Sequence, residues 1–199
     1  MSIERKVDFI IVGQGLAGSS LALELMERGQ QVCVFDEPDK NHSSVVAAGL
    51  FNPITGRVMT KTWKADLLFP FLLDFYSKAE KSLTARFFYP MPLYRPFISV
   101  QEQNEWMGKS ATPGMQSYLK QVLTQSQFGN HVHDDFGGLL LSRCGYVDTN
   151  AFIQSVGENL KAHHSFMHEH FVESELTLDK NDVCYKNLKA KKIIFCNGS

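Results

Sequence analysis

An apolar run that stops at a glycine constrains this chain more than anything else in it. Phe9, Ile10, Ile11 and Val12 read as a buried strand. Gly13 ends it, and Leu16, Ala17, Leu21, Ala22, Leu25 and Met26 then recur at helical spacing until Gly29. Strand, glycine turn and helix in that order make the first half of a βαβ unit. The glycines have separate tasks: Gly13 permits the tight turn, Gly15 lets a diphosphate approach the backbone because no side chain intervenes, and Gly18 lets the helix pack closely on the strand. The unpaired N–H groups at the helix start, and its positive charge of about half a unit, favour a phosphate there.

Glycine turns occur in many folds, so the surrounding sequence has to decide. A second apolar strand, Gln31 to Phe35, ends in Asp36, close to the separation of about 20 residues at which the dinucleotide fingerprint places a carboxylate. That carboxylate can accept both ribose hydroxyls and would repel a 2′-phosphate, which points to an adenosine ribose of the FAD or NAD type and away from NADP. The competing reading is an ordinary βαβ unit without a ligand. It leaves unexplained why three glycines and an acid stand in register with strand, helix and strand.

Composition narrows the class without naming a partner. With 199 residues, 44% of them apolar and 21% charged, the chain can build a core as one large domain or two small ones. A formal net charge of −1 gives no electrostatic reason to expect nucleic acid or an acidic membrane. Cys33, Cys144, Cys184 and Cys196 show no C-x-x-C spacing and read as reduced, structural thiols. The N-terminus leads into the first strand without a signal-type apolar stretch, and no apolar run is long enough to span a bilayer, so a cytoplasmic location is expected.

After Asp36 and Glu37 comes a turn-prone stretch and then Ser43-Ser44-Val45-Val46-Ala47-Ala48-Gly49-Leu50. Ser43 or Ser44 can cap a short helix whose N–H groups face phosphate, and Ala47, Ala48 and Gly49 leave room for something flat. A plain surface helix followed by a turn at Asn52-Pro53 explains the same residues equally well. Further on, Ala65 to Lys81 reads as an amphipathic helix interrupted or bounded at Pro70. Phe87 to Tyr89 and Leu93 to Ile98 read as strands, and Gln101 to Gly108 and Met115 to Gln125 as helices. Asp148 to Ala162 returns to helical periodicity, followed by strands near Phe166 to Val172, Glu175 to Leu178, Val183 to Tyr185 and Ile193 to Cys196.

The glycine fingerprint, Asp36 and the segment Ser43 to Leu50 together resemble the N-terminal half of the D-amino-acid oxidase and glycine oxidase family of flavoproteins. Gly138 to Leu141 and Gly145-Tyr146-Val147-Asp148-Thr149 resemble that family's return from its substrate domain, with Thr149 where the family more often has Pro. Lys192 to Gly198 resembles its later flavin-domain strand. The resemblance implies an α/β fold, a Rossmann-like FAD-binding domain (1–82 and 142–199) with part of an α+β substrate domain (83–141) inserted. It implies FAD as cofactor, with Gly13, Gly15, Leu16, Ala17 and Gly18 on the pyrophosphate and Asp36 and Glu37 on the adenosine ribose. Ser43, Ser44, Ala48, Gly49 and Leu50 would line the phosphate and flavin path, Val172 would meet the adenine through its backbone, and Asn197 and Gly198 would pack near the cofactor.

The implied activity is oxidation of a small amine or amino acid by hydride transfer to flavin. No residue pattern for a nucleophile or an acid–base pair stands out, as expected where the cofactor carries the electron chemistry. Family members continue well past the strand matching Ile193 to Cys196. The chain is therefore expected to hold FAD without the complete catalytic site, to expose apolar surface and a strand edge, and to self-associate or need the other half. Two other classes stay open: a non-catalytic FAD-binding module that needs a partner chain, and an NAD-dependent dehydrogenase, for which no nicotinamide-side motif is visible. His131-x-His133 and His168-x-His170 pair imidazoles without a cysteine partner at ligand spacing, so no metal is assigned. Arg57 and Arg95 are the arginines nearest the segments placed by the flavin; a surface role is the commoner one for either.

Overall fold

The computed structural model describes residues 5–37, 43–55 and 59–198. The strands, in chain order, are β1 (Arg5–Val12), β2 (Val32–Asp36), β3 (Leu50–Phe51), β4 (Ile54–Thr55), β5 (Thr60–Lys61), β6 (Phe88–Pro90) and β7 (Leu93–Pro96). They continue with β8 (Leu119–Leu123), β9 (Gly138–Leu141), β10 (Gly145–Val147), β11 (Phe166–His168), β12 (Leu176–Leu178), β13 (Val183–Tyr185) and β14 (Leu188–Phe195). The helices are α1 (Leu16–Glu27), α2 (Ser43–Val46), α3 (Ala65–Leu83), α4 (Val100–Lys109) and α5 (Thr149–Ala162).

The chain is mixed α/β and divides into two compact units, 1–47 with 81–87 and 149–199, and 48–80 with 88–148. The first unit holds a six-stranded sheet in the order β11-β2-β1-β14-β13-β12. β11, β2, β1 and β14 run parallel, and β13 and β12 turn back antiparallel. A parallel strand needs cover on both faces, which is why the second half of β1, Phe9 to Val12, is apolar without alternation. Ile10 and Ile11, facing opposite sides, are both fully buried, each contributing about 1.5–3 kcal/mol of transfer free energy. On one face Ile10 and Val12 pack with Cys33, Phe35, Tyr185 and Leu188. Helices α1 and α5 pack on each other, and α5 buries Phe152, Val156, Gly157 and Leu160, the stripe its periodicity predicts.

The second unit is built from small sheets, β3-β10-β6, β7-β9-β8 and β4-β5, with α4 and most of α3. α3 runs through Pro70 without breaking. A buried carboxylate organises one of its loops. Asp134 is 1% exposed and accepts from Tyr94 Oη, Ser126 Oγ and the N–H groups of Gln127 and Phe128, at 2.9, 2.5, 2.9 and 2.9 Å. The Ser126 hydroxyl foremost, with those two N–H groups and Tyr94, holds the Asp134 carboxyl far below the usual range against the opposing effect of burial. Burial, then the hydrogen bond to Asp134, pushes the Tyr94 phenol up to about 12.

Several expectations change. Leu119–Leu123 is strand β8, not helix: Met115, Tyr118 and Val122 mimic helical spacing, but pairing with the buried Leu139 and Leu141 of β9 prevails, with a register irregularity between Leu119 and Gln121. The strand expected to Val172 ends at His168. β14 is not left with an open edge, because β1 and β13 of this same chain flank it; the sheet's outer strands are β11 and β12. The compact units divide at 47/48 and 148/149, with 81–87 returning to the first. The reason is pairing: β10 bonds to both β3 and β6, closing 48–80 onto 88–148. His131 and His133 lie in a turn, not on a strand face. No helix among the described residues is long and apolar enough to cross a membrane.

Candidate cofactor-binding site

β1 leads to β2 on one side and has β14 on the other, so the strand order reverses at β1, and open parallel sheets bind ligands at the carboxyl ends of the strands there. A cleft of about 820 Å³ opens there, within the size range of small-molecule and cofactor sites. The turn that forms its floor is tied on both sides. Gly13 N–H donates to the Phe35 carbonyl at 2.7 Å and Cys196 N–H donates to the Val12 carbonyl at 2.6 Å, extending each ladder past its strand.

The glycines can be tested by adding a Cβ in thought. At Gly13, with φ +97°, it would lie 2.7 Å from the backbone of Cys196 and Asn197; at Gly18 it would lie 1.9 Å from the Gly13 carbonyl oxygen. Both contacts are backbone and cannot move aside. At Gly15 it would meet only Ser44 Oγ, at 2.9 Å. Two glycines therefore serve the fold, and Gly15 chiefly keeps the cleft clear.

α1 begins at this turn with no acidic residue in its first turn and no side-chain cap from Gly15. The Leu16 N–H donates to Ser44 Oγ at 3.1 Å, and among the described residues no acceptor meets the Ala17 N–H. A helix start with an open N–H of this kind favours an anion. Ser44 thus serves α1 rather than capping α2, while α2 stays exposed beside α5 and Thr149 Oγ1 donates to the Ala47 carbonyl at 3.2 Å.

The far end of the cleft is acidic. Asp36 and Glu37 line it from the end of β2, and Glu169, His170 and Phe171 from the turn after β11. Glu37 Oε2 lies 3.3 Å from His170 Nδ1, and Lys186 Nζ lies 3.0 Å from Glu169 Oε2. A positive helix end at one side and hydroxyl-accepting carboxylates at the other match a diphosphate joined to an unphosphorylated ribose.

Ten of the expected site residues line this cleft: Gly13, Gly15, Leu16, Ala17, Asp36, Glu37, Ser43, Ser44, Asn197 and Gly198. Gly18 lies beneath it, against Gly13. Ala48, Gly49 and Leu50 belong to the other unit, where the Gly49 carbonyl accepts from Val147 N–H at 3.0 Å and Leu50 pairs with Tyr146. Val172 is not in the lining: its N–H donates to Tyr185 Oη and its carbonyl accepts from Glu175 N–H, both at 3.0 Å. Glu169, His170 and Phe171 take that end of the cleft instead. The signal available for them was polar: His168-Glu169-His170 interrupts the apolar residues on either side, and the strand ends there. Arg95 is ion-paired with Glu102 at 2.7 Å, and Arg57 lies outside the described residues. Among the described residues no three potential metal ligands converge.

The family described as FAD dependent oxidoreductase matches this sequence over residues 8–199. The chain belongs to that family. Its cofactor is FAD, and the cleft fits it on its own geometry: a cradle that a Cβ would fill, a helix start with an open N–H and a carboxylate at the end of β2. Solved structures share the fold. Glycine oxidase from Geobacillus kaustophilus superposes with a TM-score of 0.71 at 14% identity, covering 98% of this chain and 56% of its own. Glycine oxidase from Bacillus cereus gives 0.66 at 16%, covering 97% and 55%. L-amino acid deaminase from Proteus vulgaris gives 0.68 at 15%, covering 98% and 48%. The chain thus spans about half the length of the family structures it matches.

Proposed function

We propose that this chain is the FAD-holding part of an oxidoreductase that oxidises a small amine or amino acid. The observation that carries the reading is the switch-point cleft, lined by the start of α1 with its open Ala17 N–H, by Asp36 and by a floor of glycines. The structural neighbours named as glycine oxidases and an amino acid deaminase supply the substrate class. Bound flavin supplies the capacity to accept a hydride from the substrate carbon. The protein's part here is to hold the diphosphate on the N–H groups of the Gly15–Ala17 turn, to orient the ribose on Asp36, and to shape the route along Ser43 and Ser44. In this reading the second unit is part of the substrate domain.

A second reading, a flavin-holding module completed by another polypeptide, is favoured by the half-length match. One experiment separates the two. The purified chain, loaded with FAD, is mixed anaerobically with glycine, sarcosine, proline and D-alanine while the flavin's visible absorbance is followed. Bleaching by any of them supports oxidation by the chain itself; bound, unbleached flavin supports the module. A protein that takes up NAD and no FAD would refute both.

A further inference from the structure

The fingerprint residue between the first two glycines needs no particular side chain for its turn, yet here it is a buried glutamine with partners on two helices. Resting on the FAD reading, we propose that Gln14 is a positioning residue for the cofactor: its side chain clasps the diphosphate-binding turn to α5 and thereby sets the affinity of the cleft.

Gln14 is only 6% exposed. Its amide Nε2 donates to the Ile153 carbonyl of α5 at 2.8 Å and lies 3.4 Å from Ser19 Oγ. Ser19 in turn donates through Oγ to the Gln14 carbonyl at 3.2 Å. The residue is therefore held at its main chain by α1 and at its side chain by α5. α5 leaves space for the amide: a Cβ at Gly157 would sit 3.1 and 3.2 Å from Gln14 Oε1 and Nε2. A buried amide is costly unless hydrogen-bonded, and this one finds its partner on a helix outside the fingerprint.

The consequence follows from preorganisation. Binding a diphosphate needs the Gly15–Ala17 turn and its open Ala17 N–H held in place, and a turn that must be ordered on binding loses affinity. The clasp fixes residue 14 before the cofactor arrives. It also joins cofactor and α5 in one hydrogen-bonded unit, so bound FAD is expected to slow amide exchange in α5 around Ile153 to Gly157.

The test uses the full chain and three variants, with FAD affinity from flavin fluorescence, the melting temperature of the cofactor-free protein, and hydrogen exchange of α5 with and without FAD. Gln14→Met keeps the length and loses the donor; Gln14→Ala removes both. Each is expected to weaken FAD binding about three- to tenfold, the range for one net hydrogen bond, and to abolish the FAD-dependent protection of α5. Gly157→Ala discriminates further. Replacing glycine inside a helix ordinarily raises stability, whereas crowding the clasp lowers affinity, so its FAD dissociation constant is expected to rise even where its melting temperature does not fall. Variants that melt lower but bind FAD like wild type would reduce Gln14 to a structural residue and overturn the proposal. Wild-type protein that fails to bind FAD would overturn the clasp together with the cofactor reading; wild-type binding with unchanged variants overturns the clasp alone.

Discussion

Two turns in this molecule solve the same problem in opposite ways. The Gly13–Gly18 turn of the first unit and the Ser126–Asp134 loop of the second both hold irregular backbone against a sheet. In the second, a buried carboxylate absorbs the donors: Asp134 takes two N–H groups and two hydroxyls. In the first, close backbone contacts and a side chain on the far side of the turn do the holding, and among the described residues the Ala17 N–H is left for a ligand. A loop built only for structure closes its own hydrogen bonds. A loop built to bind has to be pinned without using them.

The comparison breaks most sharply at Gly18→Ala. The added methyl would lie 1.9 Å from the Gly13 carbonyl oxygen, a backbone contact with no room to relax, and the loss of stability is expected to be about 3 kcal/mol or more. Thermal denaturation checks it; a fall in melting temperature of only a degree or two would mean that α1 can lift from β1.

Three residues earlier, the outcome should invert. Gly15→Val meets only the end of the Ser44 side chain, and the extended backbone of Gly15 (φ −72°, ψ −166°) suits valine. The fold is therefore expected to survive while FAD affinity falls by roughly a hundredfold or more, as the space beside the diphosphate is filled. Retained yellow colour at normal affinity would show that the diphosphate lies elsewhere.

Asp134→Asn tests the other loop. Its carboxyl is held far below the ordinary value, so its contribution is fully present above the unfolded value of about 4 and disappears as pH falls through the folded one. The wild type should lose stability steadily as pH drops below about 4. The variant should begin less stable at neutral pH and show a flatter acid limb. Parallel limbs in acid denaturation curves would contradict the assignment. FAD affinity should be untouched.

How legible each turn was follows from the same contrast. The cradle is encoded locally: three glycines, a helix start and Asp36 stand at fixed offsets, so ten cleft residues could be named from spacing and family likeness alone. The Asp134 loop depends on Tyr94, distant in sequence, and nothing local marks it. β8 failed for a related reason, since its partner β9 lies beyond the loop and helical spacing at Met115, Tyr118 and Val122 gave the wrong period. At the acidic end of the cleft, Glu169 to Phe171 were not named because the strand was read through the polar His168-Glu169-His170 as far as Val172, whereas β11 ends at His168.

Asp36→Ala is expected to have a smaller effect than the glycine substitutions and to act on binding alone. Losing hydrogen bonds from ribose hydroxyls to a charged acceptor should cost about 1.5–3 kcal/mol of FAD affinity, with the melting temperature of the cofactor-free protein unchanged. Equal affinities by titration would remove Asp36 from the site.

The smallest expected effect is the one that separates structural charge from functional charge. Arg95 stands in β7 and would be a natural fork for a substrate carboxylate if it were available. Instead it pairs with Glu102 at 2.7 Å, with both side chains mostly covered. Glu102 is itself committed: its Oε2 accepts from Ile98 N–H at 2.9 Å, while its own N–H donates to Ser99 Oγ at 3.2 Å, a capping arrangement that starts α4. Removing the arginine leaves that cap intact and deletes one partly covered ion pair. Arg95→Ala should therefore lower stability by about 1 kcal/mol or less, leave FAD affinity unchanged, and leave any flavin reduction by amino acids with the same half-saturating concentration. A rise in that concentration at constant stability would assign Arg95 to the substrate. The second unit would then use this charge, as the first uses its open N–H groups, for a ligand.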